Sequence, residues 1–389
     1  MSVISSPAYK RALQFITLMG VVSLLADMVY EGGRSLSGQY LALLGASGAV
    51  VGLTAGIGEL IGYGLRLVFG YLSDRTRRYW LLTILGYSLT VIAVPLLALA
   101  NAWPLAVGLL MVERLSKALR SPAKDTLISY AADRVGAGKG FGLHEVLDQI
   151  GAVLAPLLLA GILAFSGNFQ LAFGVLIIPG LLCMMVLLMA RMRFPQPADL
   201  ARQTPAITTT GFSRQFWYYL AGVALFAAAS VDFALAAYHL QRLQIVQPAG
   251  IPALYALAMT VDAVAAFGFG LLYDRIGLGA LVGVTALGAL STPLLFSAGL
   301  LTVIIGVVLW GAVLGAQESI LRAAVGQLAP PDRRGAAYGL FHAGFGVSWF
   351  VGSACLGLLY DRALPALIGV SAALYLGAAL VLFYVARRQ

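Results

Sequence analysis

The chain reads as an all-α membrane protein of twelve transmembrane helices in two pseudo-symmetric six-helix bundles. Three observations predict that fold. Hydrophobic residues make up 60% of the 389 positions and charged residues 11%, with a mean hydropathy of +0.91. Soluble domains carry about 25% charged residues, so much of this surface faces lipid. Long apolar runs follow one another with short polar breaks, each near the roughly 20 residues that a membrane-crossing helix needs. Finally, Gly70-Tyr-Leu-Ser-Asp74-Arg75 returns 200 residues later as Gly270-Leu-Leu-Tyr-Asp274-Arg275. Each copy closes one apolar run just before the next begins, as expected of a duplicated bundle.

Taken in order, the spans are expected at 11–42, 47–73, 79–100, 103–132, 138–166 and 168–191, then at 214–243, 250–273, 278–298, 300–328, 335–361 and 364–386. Between the two sets lies 192–213, polar and broken by Pro195, Pro197 and Pro205, which reads as a linker. The chain then divides into an N-terminal bundle over 1–191, a cytoplasmic linker over 192–213 and a C-terminal bundle over 214–389. A second echo supports the duplication: Phe141-Gly142-Leu143 in the fifth span matches Tyr338-Gly339-Leu340 in the eleventh, 197 positions on.

The net charge of +9 is distributed by side. Lys10 and Arg11 precede the first span. Arg75, Arg77 and Arg78 follow the second, Arg134 and Lys139 the fourth, and Arg191, Arg193, Arg202 and Arg214 surround the linker. Arg275, Arg333, Arg334, Arg387 and Arg388 continue the pattern, while Arg242 and Arg362 stand alone on the alternate loops. Positively charged loops stay in the cytoplasm, so both termini are expected there, in the inner (plasma) membrane of a bacterial-type cell. Charge placed this way serves topology and implies no nucleic-acid partner. Cys183 and Cys355 fall inside spans with no partner spacing, so neither a disulfide framework nor a metal site is implied. No cofactor motif is present. Gly136-Ala-Gly138-Lys139-Gly140 lacks the leading glycine and the closing Ser or Thr of a phosphate loop, so energy must come from a gradient.

Gly70-Tyr71-Leu72-Ser73-Asp74-Arg75-Thr76-Arg77-Arg78-Tyr79 resembles the loop motif of the major facilitator superfamily, Gly-x-Leu-x-Asp-Arg-x-Gly-Arg-Lys. The resemblance extends over almost the whole chain in span number, central linker and loop signature. It holds at Gly70, Leu72, Asp74, Arg75 and Arg78 and departs at Arg77 and Tyr79, which predicts a wider hairpin turn. Gly142, Gly151 and Pro156, with Ala155 in place of a glycine, are similar to that family's antiporter spacing. The resemblance implies a secondary transporter rather than an enzyme, working by alternating access. It implies a gating role for Gly70, Asp74, Arg75, Arg78, Asp274 and Arg275. Asp74 is expected to cap a helix start in the opposite bundle and latch the outward-facing state.

Charges inside the spans carry the rest of the reading, because each costs about 2.5–3.5 kcal/mol on insertion scales. The first half holds eleven: Asp27, Glu31, Arg34, Glu59, Arg66, Glu113, Arg114, Lys117, Arg120, Glu145 and Asp148. The second holds four: Asp232, Asp262, Glu318 and Arg322. Asp27, Glu31 and Arg34 share one helical face, as do Glu113, Lys117 and Arg120. Proton coupling is expected at Asp27, Glu31, Glu59 and Arg114, since a carboxylate near a movable arginine can load and release a proton. The cargo cavity is expected to use Arg34, Glu113, Lys117, Asp232, Phe233, Asp262, Trp310 and Glu318.

A wall of charge facing an apolar, aromatic wall suits a small amphipathic organic compound, exported in exchange for protons. Two alternatives stay open. One is import or exchange of an anionic metabolite; the other is export of a metal ion. Partners are therefore the bilayer, protons and a small-molecule substrate, with a monomer sufficient.

Overall fold

The computed structural model describes residues 7–196, 211–329 and 334–387. Every regular element among them is helical. The 197–210 part of the expected linker and Arg333 and Arg388 lie outside the described residues. Ten helical stretches are long and apolar enough to cross a membrane, among them Ala8–Leu43, Gly48–Thr76, Tyr79–Leu99, Arg214–Arg242 and Leu364–Ala386. Trp103–Val135 is also long but heavily charged, and Gly279–Leu295 is apolar but short. The protein is a multi-pass membrane protein.

The helices are α1 (Pro7–Leu43), α2 (Gly48–Thr76), α3 (Tyr79–Leu96), α4 (Trp103–Val135), α5 (Ala137–Ser166), α6 (Phe169–Val175), α7 (Ile177–Arg193), α8 (Arg214–Ala229), α9 (Phe233–Arg242), α10 (Gly250–Ile276), α11 (Gly279–Leu295), α12 (Leu300–Ala316), α13 (Arg322–Leu328), α14 (Arg334–Arg362) and α15 (Leu364–Ala386). Four of them carry an internal proline, Pro95, Pro122, Pro156 and Pro293. Neighbouring helices and side chains can re-satisfy the backbone groups that a proline frees inside a membrane. Large apolar side chains also point outward, with Leu301 70% exposed, Phe267 73% and Leu380 71%. Apolar surface of that kind belongs against lipid.

Contacts divide the chain into two compact units that cut through α1 and α2. The first holds residues up to Arg34 and Leu65–Ala206; the second holds Ser35–Gly64 and Ile207 onward. In the first, α3 packs on α4 and α7, and α4 on α5. Its core joins Phe15, Ile16, Met19, Trp80, Ile128, Leu187 and Phe194. In the second, α10 packs on α12, α11 on α12 and α15, and α8 on α14 and α15. Phe216, Tyr219, Phe226, Phe341, Trp349 and Tyr375 build its core.

One expectation is corrected here, and one placement is notable. The hairpin between α2 and α3 is not widened by losing its glycine: only Arg77 and Arg78 separate the helices. Arg77 takes φ 53° instead, and its N–H donates to the Ser73 carbonyl at 2.8 Å. Glu59 does not share a unit with Asp27 and Glu31. It belongs to the second unit, where its backbone lies against Gly346 of α14.

Candidate functional site

Three cations of the first unit converge on one tyrosine. Tyr30, 2% exposed on α1, sits one residue before Glu31 and three after Asp27. From α4, Arg114 donates to the Tyr30 hydroxyl at 2.5 Å, and the Lys117 ammonium lies 3.8 Å from its ring centroid. Arg34 reaches the same hydroxyl at 3.5 Å from a turn further along α1. Lys117 is one turn beyond Arg114's neighbour Glu113, so the helical repeat of α4 brings both to the same face. Glu113, 4% exposed, pairs with the Arg114 Nε at 3.5 Å. The aromatic face and the phenolic oxygen give these cations favourable contacts beside their ion pairs.

A second arginine on α4 is fixed more rigidly. Arg120 donates to the Thr90 hydroxyl at 2.7 Å and to Ser116 at 3.2 Å, with its guanidinium 4.9 Å from the Tyr87 ring centroid. Gly86 of α3 makes room for it, since a β-carbon there would stand 2.5 Å from the Arg120 Cβ.

Asp27 completes the group. Its electrostatic neighbours are Asp148, Glu31, Lys117 and Arg120. Asp148, on α5, accepts a hydrogen bond from Ser23, one turn before Asp27 on α1. Lys124 and His144 act on Asp148 in turn. Three carboxylates from α1 and α5 thus face basic groups from α4, and any proton or motion that disturbs one is felt by the others. Asp148 and His144 escaped the sequence reading as coupling candidates. Their i, i+4 spacing on α5 was visible, but the register that turns Asp148 toward Ser23 was not.

In the second unit the predicted cavity residues hold a broken helix. Ser230, Val231 and Asp232 interrupt the span between α8 and α9. Asp232 caps α9, accepting from the Ala234 N–H at 2.8 Å. The Trp310 indole donates to the Val231 carbonyl at 2.8 Å, and Ser371 donates to the Ala229 carbonyl at 2.8 Å. Phe233 and Trp310 are buried, 1% and 6% exposed, with ring centroids 5.6 Å apart and Tyr255 against both. The Trp310 N–H is thus engaged by the break. Asp262, 2% exposed, lies on α10, where its carbonyl leaves no room for a side chain on Gly315. Glu318 stands in a π-turn, Gln317–Leu321, and shares a small cavity with Tyr63, Arg322, Phe341, His342 and Phe345. Such bulges recur at functional sites.

Of the residues expected to gate, Asp74 and Arg78 line a cavity of about 710 Å³ in the first unit with Arg77, Tyr79, Trp80 and Arg191. A β-carbon on Gly70 would meet Pro122 of α4 at ordinary contact distance, and Arg75 reaches the Tyr71 hydroxyl at 3.5 Å. Asp274 lines a separate cavity with Gly270, Tyr273 and Ser319, and Arg275 closes α10. Along α5, Gly151 faces the Leu24 carbonyl of α1 and Ala155 faces Gly32, while Gly142 has open space and Pro156 lies inside the helix.

A helical membrane fold with buried charge and a repeated Asp-Arg hairpin fits a solute transporter, not an enzyme. The model of the Major Facilitator Superfamily matches residues 12–284 and 246–389, and the chain belongs to that family. It is 43% identical to an uncharacterized protein of Mycobacterium tuberculosis over 96% of this chain and 93% of that one. It is 25% identical to an uncharacterized MFS-type transporter of Methanocaldococcus jannaschii, over 89% and 88% of the two chains. Among solved structures, the nucleoside transporter NupG shares the fold with a TM-score of 0.76 at 11% identity, over 95% of this chain and 99% of that one.

Proposed function

We propose that this transporter couples a small organic cargo to protons through the buried carboxylates of its first unit, Asp27, Glu31 and Asp148. The observation that carries the reading is the convergence of Asp27, Ser23 and Asp148 from α1 and α5 with Lys117 and Arg120 from α4. A carboxylate cluster held beside cations changes proton affinity when helices shift by a few ångströms. Alternating access supplies such a shift. The same reading has twelve spans in two halves, 1–191 and 214–389, with both termini cytoplasmic in an inner membrane and a single chain enclosing the path. Outward transport of an amphipathic compound in exchange for protons draws support from the antiporter-like spacing, because Gly151 seats α5 directly on α1 beside the cluster.

A specific feature favours a second cargo class, an anionic metabolite. The buried and half-buried cations of the first unit, Arg34, Arg66, Arg114, Lys117, Arg120 and Lys124, outnumber the carboxylates Asp27, Glu31, Glu113 and Asp148. Three of those cations meet on Tyr30, a neutral group that a cargo carboxylate or phosphate can displace.

Reconstituted liposomes test both. An imposed pH gradient should drive accumulation in the wild type and fail in Asp27→Asn and Glu31→Gln, while cargo exchange at equal pH persists. Uphill transport intact in both variants would return these acids to helix packing. A thermal-shift screen of anionic and neutral amphipathic compounds at two pH values separates the cargo classes, since stabilisation follows RT ln(1 + [L]/Kd).

A further inference from the structure

The hexapeptide Gly270-Leu-Leu-Tyr-Asp274-Arg275 recurs residue for residue as Gly357-Leu-Leu-Tyr-Asp361-Arg362. The first ends α10 and the second ends α14. They stand at opposite ends of the second unit. Asp361 pairs with Arg242 at 3.7 Å, just before the start of α10. Asp274 lies at the other end of that 27-residue helix, about 40 Å away at 1.5 Å per residue. The gating signature therefore has a third copy on the membrane side away from the N-terminus.

The third copy is engaged. Asp361 accepts from the backbone N–H of Gly48 at 3.0 Å and of Ala49 at 2.7 Å. Those are the first donors of α2, which its own helix cannot satisfy, and the Ser47 hydroxyl takes the next, from Val50, at 3.2 Å. A carboxylate at a helix N-terminus also meets the positive end of the helix dipole. Around this contact, the Tyr360 hydroxyl lies 3.0 Å from His239 Nδ1, and Tyr238 donates to the Ala46 carbonyl at 3.1 Å. Gln39 donates to Gln241 at 2.8 Å and to the Pro248 carbonyl at 3.1 Å. Below it, α2 and α14 touch backbone to backbone: a β-carbon on Gly52 would stand 2.5 Å from the Ser353 carbonyl oxygen and 2.7 Å from the Gly357 Cα. The portion of α1 and α2 held this way, Ser35–Gly64, is the portion that packs with the second unit.

We propose that Asp361 is a positioning residue for transport, a latch that holds the start of α2 on α14 and closes the side away from the N-terminus. Opening that side requires the carboxylate to leave Gly48 and Ala49, freeing the start of α2 from α14. Asp74 is expected to do the corresponding work at the other end, so the two latches would alternate. This reading rests on the transporter fold alone, and it holds for any cargo or coupling ion.

Spin labels at Leu43 and Leu243, 51% and 52% exposed at the ends of α1 and α9, report the latch by pulsed electron-electron double resonance in nanodiscs. Cys183→Ser and Cys355→Ser provide the background, and no cargo or gradient is needed. The wild type should show mainly the short, latched distance. Asp361→Asn keeps the shape but removes the charge, and should raise the ratio of long to short distances about tenfold. Ala49→Pro removes one donor at a helix position that tolerates proline and should shift the distribution the same way. Melting profiles identify any variant that fails to fold. Folded Asp361→Asn and Ala49→Pro with the wild-type distribution would overturn the latch.

Discussion

Arg77 and Gly277 stand 200 residues apart at the same place in the repeated hairpin, and both have positive φ, 53° and 60°. The internal duplication is thus present in the backbone as well as in the letters. Glycine reaches this region freely, whereas for other residues a left-handed conformation costs roughly 1–2 kcal/mol. Glycine gives back part of that through its larger entropy loss on folding. Arg77→Gly should therefore stabilise the protein by about 0.5–1 kcal/mol. Gly277→Ala should destabilise it by at least about 1 kcal/mol, because its ψ of −143° leaves no comfortable well for a β-carbon. Thermal melts in detergent check both signs.

Tyr30 should matter through its hydroxyl more than through its ring. Tyr30→Phe keeps the aromatic face beneath Lys117 but removes the acceptor of the 2.5 Å bond from Arg114. A hydrogen bond to a charged group contributes about 1.5–3 kcal/mol, and the melting temperature should fall accordingly. If cargo displaces the phenol, the loss should shrink in the presence of saturating ligand. A variant that melts like the wild type with and without ligand would remove Tyr30 from the site.

The aromatic pair on α9 and α12 shows where sequence reading stopped. Charge inside a span was legible, and so was the imbalance between the halves, because both are matters of composition along the chain. That the Trp310 indole donates to a carbonyl at a helix break was not. The break at Ser230–Asp232 contains neither glycine nor proline, and its only signal is two residues of the N-cap type, Ser230 and Asp232, in an apolar run. Which carbonyl an indole reaches depends on packing that spacing does not encode. Trp310→Phe should leave the Val231 carbonyl without its donor and cost about 1–3 kcal/mol, with cargo affinity in the folded protein little changed. Affinity lost at unchanged stability would restore Trp310 to the cargo wall.

The antiporter-like glycines separate into one that is needed and one that is not. Gly151 has no room: a β-carbon there would stand 2.2 Å from the Leu24 carbonyl oxygen, which is backbone and cannot swing aside. Leu24 follows Ser23 directly, and Asp148 lies one turn before Gly151, so this close approach sets the Ser23–Asp148 bond. Gly151→Ala must push α5 off α1 and separate Asp148 from Ser23 and Asp27. Gly142 has nothing within 4 Å of its β-position. There an alanine should be neutral or slightly stabilising, by up to about 1 kcal/mol from helix propensity. Proton-driven accumulation should therefore fall in Gly151→Ala, with equal-pH exchange less affected, and be retained in Gly142→Ala. Equal losses in the two variants would show that the spacing serves general helix packing. Equal retention would show that α1 and α5 do not need their close contact for coupling.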